Sequence, residues 1–360
     1  MALLSPRLLR RGLELFAAIS VAGFVGLLLY GNNLPQFLSA MAALHWGWVL
    51  VGVALASMDW LGGGLRIWIL VRHLDSRASL KGSILAGGLC TWAGYLTPLQ
   101  AGAGPMMIYT LKRYGTPVPL AVIATFMSFV ATVVFFALAG PFAVLMGGGR
   151  SLQQYGVLGK SITLFDMFNL SLSAFVAIGL LMFTAFLFPG LARRVVQGAA
   201  AWFEGHGSPR LARGAAKLRE GVDRAHDGMK EFLKARGWLA LGASVILSGP
   251  SHANKLLAGY VVLRMLGIDV NFVDVLLLQT LITFLLYFAP TPGGSGVAEL
   301  LSAAVMSIYV PRALTPSYIL LWRVVVSYLT VAFGSYLFWR WLKLAEGKED
   351  TFLDQEAVPV

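Results

Sequence analysis

YFAPTPGGSG, residues Tyr287 to Gly296, places two prolines and three glycines in the middle of an apolar run that extends from about 272 to 310. A second apolar run, about 79 to 112, is interrupted in the same way by YLTPLQAGAGP, Tyr95 to Pro105. Proline removes a backbone donor and clashes with the preceding turn, and glycine opens left-handed conformations, so neither run continues as one helix. Backbone that leaves the helix at membrane depth has to be buried in protein or line a cavity, because lipid cannot satisfy its N–H and C=O groups. Both runs are therefore predicted to be re-entrant hairpins of two half-helices. The first breaks at Pro98, Gly102 and Gly104, the second at Pro290, Pro292, Gly293, Gly294 and Gly296.

Six further stretches have the roughly 20 mostly apolar residues that a membrane crossing needs: about 12 to 31, 46 to 71, 117 to 146, 166 to 189, 237 to 266 and 315 to 341. With 58% hydrophobic and 12% charged residues, where soluble proteins carry about a quarter charged, the chain reads as an all-α polytopic membrane protein. Residues 1–343 form one transmembrane domain, and 344–360 a polar, acidic tail. The net charge of +11 is explained by topology. Arg7, Arg10 and Arg11, then Arg72, Arg77 and Lys81, then Lys112 and Arg113, and finally Arg340 and Lys343 fall on one side, together with the basic segment 190 to 236. The positive-inside rule makes that side the cytoplasm, with both termini there, in the plasma (inner) membrane of a prokaryote. Arg150, Lys160 and Arg312 are exceptions on the opposite face. No nucleic-acid partner is implied, and the single cysteine, Cys90, excludes an intramolecular disulfide. The first span reads as a retained anchor, because no clear cleavage site follows it. Within 190 to 236, Leu211, Ala215, Leu218, Val222, Ala225, Met229 and Phe232 recur at helical spacing with basic residues off that face. That pattern is an amphipathic helix on anionic lipid or a connector packed on the bundle.

The two interrupted runs also align with each other. Tyr95 with Tyr287, Pro98 with Pro290, Gly102 with Gly294, Gly104 with Gly296, and Trp46 with Trp238 in the preceding spans, are all separated by one constant interval. Two units of span, hairpin and span result, about 46–146 and 237–341, with the single span 166–189 between them. One intervening crossing turns the second unit over, which makes the repeat inverted. Inverted repeats with paired broken helices are the pattern of transporters that alternate access around a midplane site. Half-helix N-termini following Gly104 and Gly296 would present N–H groups to an anion such as a phosphate.

Charged groups at membrane depth are costly and mark a pathway or a site by default. Asp59 and Arg66 lie in one span, His252 and Lys255 in another within SGPSHANK, Glu299 starts the last half-helix, and Arg323 is inside the final span. Gln100 and Asn254 are neutral hydrogen-bonding candidates in the same region, whereas Gln279 and Thr280 read as helix-packing residues. By the repeat, Asp59, His252 and Lys255 share a depth. The functional reading has Lys255 and Arg323 contact a phosphate and Glu299 act as gate partner or proton carrier. The structural alternative is that Asp59, Glu299, Lys255 and Arg323 pair and hold the bundle together, and that Arg66 snorkels to the surface.

PTPGGSGVAELL (Pro290 to Leu301) followed by LLWRVVVSYL (Leu320 to Leu329) resembles the flippase-like transmembrane domain of lysylphosphatidylglycerol synthases and its stand-alone relatives. Pro290, Pro292, Gly293, Gly294, Gly296, Glu299 and Arg323 match that family's second motif. The first hairpin is similar in weaker form. Where the family commonly has an arginine and a glycine–glutamate pair, this chain has Gln100 and Gly104 with Pro105. The resemblance covers about 12 to 341 and implies movement of an anionic phospholipid or other anionic amphiphile between leaflets. It implies no aminoacyl transfer, cofactor or metal, and leaves a homo-oligomer open. Two enzyme readings compete. Gly293 to Gly296 spell a GxSG string like that of rhomboid proteases, but no histidine follows Ser295 to act as its base. A membrane glycosyltransferase would need clustered aspartates, and the outer loops offer Asp269 and Asp274. A non-catalytic adaptor acting through the basic helix is the third class.

Overall fold

The computed structural model of the protein describes residues 6–30, 34–75, 77–145, 156–157, 162–188, 234–287 and 289–346, with isolated positions between 190 and 232. The expected basic helix 211–234, most of the tail, Arg150 and Lys160 lie outside the described residues. What is described is helical, apart from one two-residue antiparallel pair, Gly156–Val157 with Ile162–Thr163. Among the described residues, four helical stretches are long and apolar enough to cross a membrane: Leu8–Leu29, Trp46–Leu74, Val118–Ala139 and Arg312–Trp341.

Helix α1 is Pro6–Tyr30, and α2, Leu34–Ala42, lies between the expected spans 12–31 and 46–71. The first unit then runs α3 (Trp46–Ala56), α4 (Met58–Leu74), α5 (Leu80–Tyr95), α6 (Ala103–Arg113) and α7 (Val118–Leu145). After α8 (Leu164–Leu187) come α9 (Ala235–Ser251), α10 (Ala253–Leu256), α11 (Ala258–Met265), α12 (Phe272–Tyr287) and α13 (Val297–Met306). The last span is α14 (Thr315–Arg323), a π-helical turn (Val324–Tyr328) and α15 (Leu329–Glu346).

The bend between α3 and α4 has a local cause. The Ser57 hydroxyl donates to the Ala54 carbonyl at 2.6 Å, the back-bonding that bends apolar helices. The stretch 237–266, expected as one span, is three helices instead. Pro250 lacks the N–H that would continue the ladder, and the polar residues that follow, His252, Asn254 and Lys255, sit where the helix restarts.

Both interrupted runs do break, but the breaks correspond differently from the residue-by-residue alignment. Each is a single 3₁₀ turn opened by a proline, Pro98–Gln100 in the first and Pro292–Gly294 in the second. Each is followed by a two-residue turn and a helix whose N-cap is Gly102 or Gly296. Pro98 thus matches Pro292 and Gly102 matches Gly296, because the second unit inserts two residues after its Tyr287. Pro290 belongs to that insertion, and Gly104 is an ordinary position inside α6. Leu99 and Gln100, at φ 52° and 55°, occupy the left-handed region that Gly293 and Gly294 fill in the second break. The two tips touch: the Leu99 N–H points to the Ala289 carbonyl at 3.4 Å.

Two cores form, each drawing on both units: Ala240 and Leu241 of α9 join the first, and Phe136 of α7 joins the second. Ile67, Leu70, Ala86, Leu111 and Met127 pack between α4, α5, α6 and α7. Val262, Leu278, Phe284, Tyr318 and Trp322 do so between α11, α12 and α14. Helices α4 and α5 cross at backbone contact. A Cβ on Gly87 would lie 2.5 Å from Gly64 N, and one on Gly88 would lie 1.9 Å from the Trp60 ring. Part of the glycine content therefore serves close crossing rather than breaks. Leu50, Leu170, Leu239 and Ile246 are largely exposed on the outside, the pattern of a lipid-facing surface.

Candidate functional site

Two buried ion pairs stand beside the two breaks. In the first, Lys255 Nζ on α10 donates to Asp59 Oδ1 on α4 at 2.7 Å. The other carboxylate oxygen accepts from Asn254 Nδ2 at 2.8 Å and from the Thr330 hydroxyl at 3.0 Å. Asp59, on α4, is thus bound from α10 and α15 together, satisfying a charge that isolated burial would make very costly. His252, expected alongside, turns away: its Nδ1 lies 2.8 Å from the Ser248 carbonyl and its ring meets Phe136 edge-on.

In the second pair Arg323 Nε donates to Glu299 Oε1 at 2.9 Å, with both side chains 1% exposed. Glu299 occupies the third position of α13, so its other oxygen accepts the Gly296 N–H at 2.8 Å and caps the helix. The remaining Arg323 nitrogens reach the Gly293 carbonyl at 3.2 Å, Ser295 Oγ at 3.2 Å and Ser20 Oγ of α1 at 3.3 Å. The guanidinium also lies over the Phe16 and Tyr328 rings at 5.4 and 5.7 Å. Arg323 therefore ties the second break to both α1 and α14. In the first unit the position matching Glu299 is Pro105, which has no carboxylate to offer.

Between these pairs lies a small cavity of about 40 Å³, room for a few water molecules and well below the roughly 300–1,000 Å³ of small-molecule sites. Lys255, Arg323, Gln100, Tyr95, Thr291 and Tyr287 are among the residues that line it. Asn254, Glu299, Asp59 and His252 stand behind this lining rather than in it. Lys255 has three ammonium hydrogens and gives one to Asp59, so donors remain for an anionic guest. Arg66 lies outside the lining altogether, with its Nη1 on the Thr132 and Ser248 hydroxyls.

Ser295 Oγ contacts Ser20, Arg323 and the Phe16 carbonyl, none of which is a general base. Among the described residues no three His, Cys, Asp or Glu side chains converge as a metal site. Gln279 bridges Trp322 and Tyr318 at 2.8 and 3.2 Å, a contact between packed helices. Ser20 and Thr330 were not singled out from the sequence, and Tyr95 and Tyr287 only as markers of the repeat. Hydroxyls inside apolar spans were the available signal, but such residues more often bond their own helix.

Residues 14–334 match the family model described as the lysylphosphatidylglycerol synthase TM region. No curated protein and no solved structure matches the chain.

Proposed function

Since this chain belongs to the lysylphosphatidylglycerol synthase TM region family, we propose that it is a flippase-like transporter that carries an anionic phospholipid or related amphiphile between leaflets. The observation that carries this reading is the cavity itself: two cations, Lys255 and Arg323, line it together with residues of both backbone breaks inside an apolar helical body. As the cavity widens, a phosphate-bearing headgroup enters and takes the spare N–H donors of Lys255 with Gln100 beside it, while the acyl chains stay in lipid. The two paired carboxylates keep the empty site close to neutral, so the guest adds the charge that shifts the balance between states.

In this reading the two break-containing segments are re-entrant hairpins of an inverted repeat, and six spans accompany them. The protein sits in a prokaryotic inner membrane with both termini in the cytoplasm, and alternating access is motion of one repeat against the other. The matching turns at Pro98–Gln100 and Pro292–Gly294 support that arrangement.

The test is leaflet exchange of a fluorescent phosphatidylglycerol in vesicles holding the purified chain. Lys255→Ala and Arg323→Ala are expected to abolish exchange while still inserting. Wild-type exchange in both variants would exclude the cavity as the route.

A further inference from the structure

The buried charges do not balance. At membrane depth Asp59 holds Lys255 and Glu299 holds Arg323, which leaves Arg66 over. Arg66 is 8% exposed and its hydrogen-bond partners among the described residues are neutral, the hydroxyls of Thr132 on α7 and Ser248 on α9. Its Nε is buried without any partner. The other ion pairs among the described residues are Arg10–Glu14 and Arg264–Asp269, so no carboxylate there pairs with Arg66. A guanidinium stays charged at any physiological pH, and a buried charge without a counter-charge is strongly unfavourable. Snorkelling does not account for it, because the charged end is inside. Contacts lead from it to the cavity: the carbonyl of its partner Ser248 lies 2.8 Å from His252 Nδ1, the His252 ring meets Phe136, and Phe136 meets Tyr287 of the cavity lining.

We propose that Arg66, with the hydroxyls of Thr132 and Ser248, is a second binding station for a phosphate-type anion, next to the cavity of Lys255 and reached past Tyr287. The anion supplies the missing counter-charge and uses the free Nε edge, giving the guest two successive stations rather than one. The inference rests on the transport reading only for what carries the phosphate; the anion site stands on charge and geometry alone.

The experiment follows thermal unfolding of the purified full chain by tryptophan fluorescence. One arm titrates inorganic phosphate in neutral detergent, and the other compares nanodiscs of phosphatidylglycerol with nanodiscs of a neutral, phosphate-free glycolipid. Arg66→Gln is expected to be at least as stable as wild type without anion, and to weaken the anion response by about tenfold or more, as loss of a charge-assisted contact implies. Arg66→Lys keeps the charge but loses the Nε edge, so an intermediate response is expected. A response confined to phosphatidylglycerol assigns the anion to a lipid headgroup, and one to inorganic phosphate assigns a soluble ion. An undiminished response of Arg66→Gln in both arms overturns the proposal. Should that variant fail to fold, an undiminished response of Arg66→Lys does so. Absent leaflet exchange with an intact Arg66-dependent response would defeat the transport reading alone. Normal exchange with a response indifferent to Arg66 would defeat this inference alone.

Discussion

Removing the Glu299 carboxylate tests how the second break is held. Glu299→Ala takes away the 2.9 Å contact with Arg323 and the 2.8 Å acceptor of the Gly296 N–H. Breaking a buried pair from one side costs about 3–5 kcal/mol, and loss of the cap adds about 1 kcal/mol. Arg323→Met strands the carboxylate instead and is expected to cost about 3–5 kcal/mol on the same grounds. In the double variant no charge is left uncompensated, so its loss should fall short of the sum of the two singles by about 3 kcal/mol or more. The assay is reversible unfolding in mixed SDS and maltoside micelles, followed by tryptophan fluorescence, for all four corners of the cycle. A coupling below about 0.5 kcal/mol, the scatter of independent sites, would refute the argument that the pair acts as one unit.

Four further outcomes follow from local geometry. Leu99→Gly is expected to raise stability by about 0.5–1 kcal/mol in thermal unfolding, because left-handed backbone at φ 52° costs a branched residue about 1–2 kcal/mol and glycine's entropy returns about half of that. Gly87→Ala pushes a Cβ to 2.5 Å from Gly64 N and should destabilise by about 1–3 kcal/mol. Gly242→Ala, on an open part of α9, should instead stabilise by about 0.5–1 kcal/mol in the same assay. Thr330→Val removes a 3.0 Å donor from buried Asp59 and is expected to cost about 1.5–3 kcal/mol, measured as a shift of the same unfolding midpoint.

Apolar length and the proline–glycine interruptions made the membrane-embedded helices and both breaks readable in advance, since each is a local consequence of backbone chemistry. The repeat also put Asp59 and Lys255 at one depth, but it left open which cation each carboxylate takes, since that depends on how the helices pack. The two-residue shift at the second break was not. Tyr95 and Tyr287 end their helices at the same point, and Pro98 and Pro290 follow at equal distance, yet the turn is opened by Pro292. Constant spacing counts residues along the chain, whereas the turn depends on which proline begins it. Arg66 was legible as a buried charge, but its lack of a carboxylate partner was not, since that depends on where the side chains of three helices converge. Ser20 was hidden for a related reason: nothing local ties α1 to an arginine 303 residues away.

The two tips share one turn geometry but differ in what restrains them, and this predicts which of them opens first. The second tip is bound from outside itself. Arg323 holds the Gly293 carbonyl and Ser295, Ser20 of α1 meets Ser295 at 3.2 Å, and Glu299 caps the half-helix. The first tip is bound chiefly by its own residues, through Thr97 Oγ1 accepting the Gly102 N–H at 2.8 Å while donating to the Ala93 carbonyl at 2.8 Å. Its contact with the other tip is a single long backbone bond from Leu99 to Ala289, and it carries two non-glycine residues in the left-handed region. Pro98, Leu99 and Ala101 are exposed, whereas Pro292, Gly294 and Ser295 are buried. Local opening takes the least restrained segments first, so amides at 99–102 should exchange with deuterium faster than those at 293–296. Glu299→Ala should raise exchange at 293–296 and leave 99–102 unchanged. Equal protection of the two tips in the wild-type chain, read by mass spectrometry of peptides spanning each turn, would mean that the tertiary anchors at Arg323 and Ser20 do not set the order of opening.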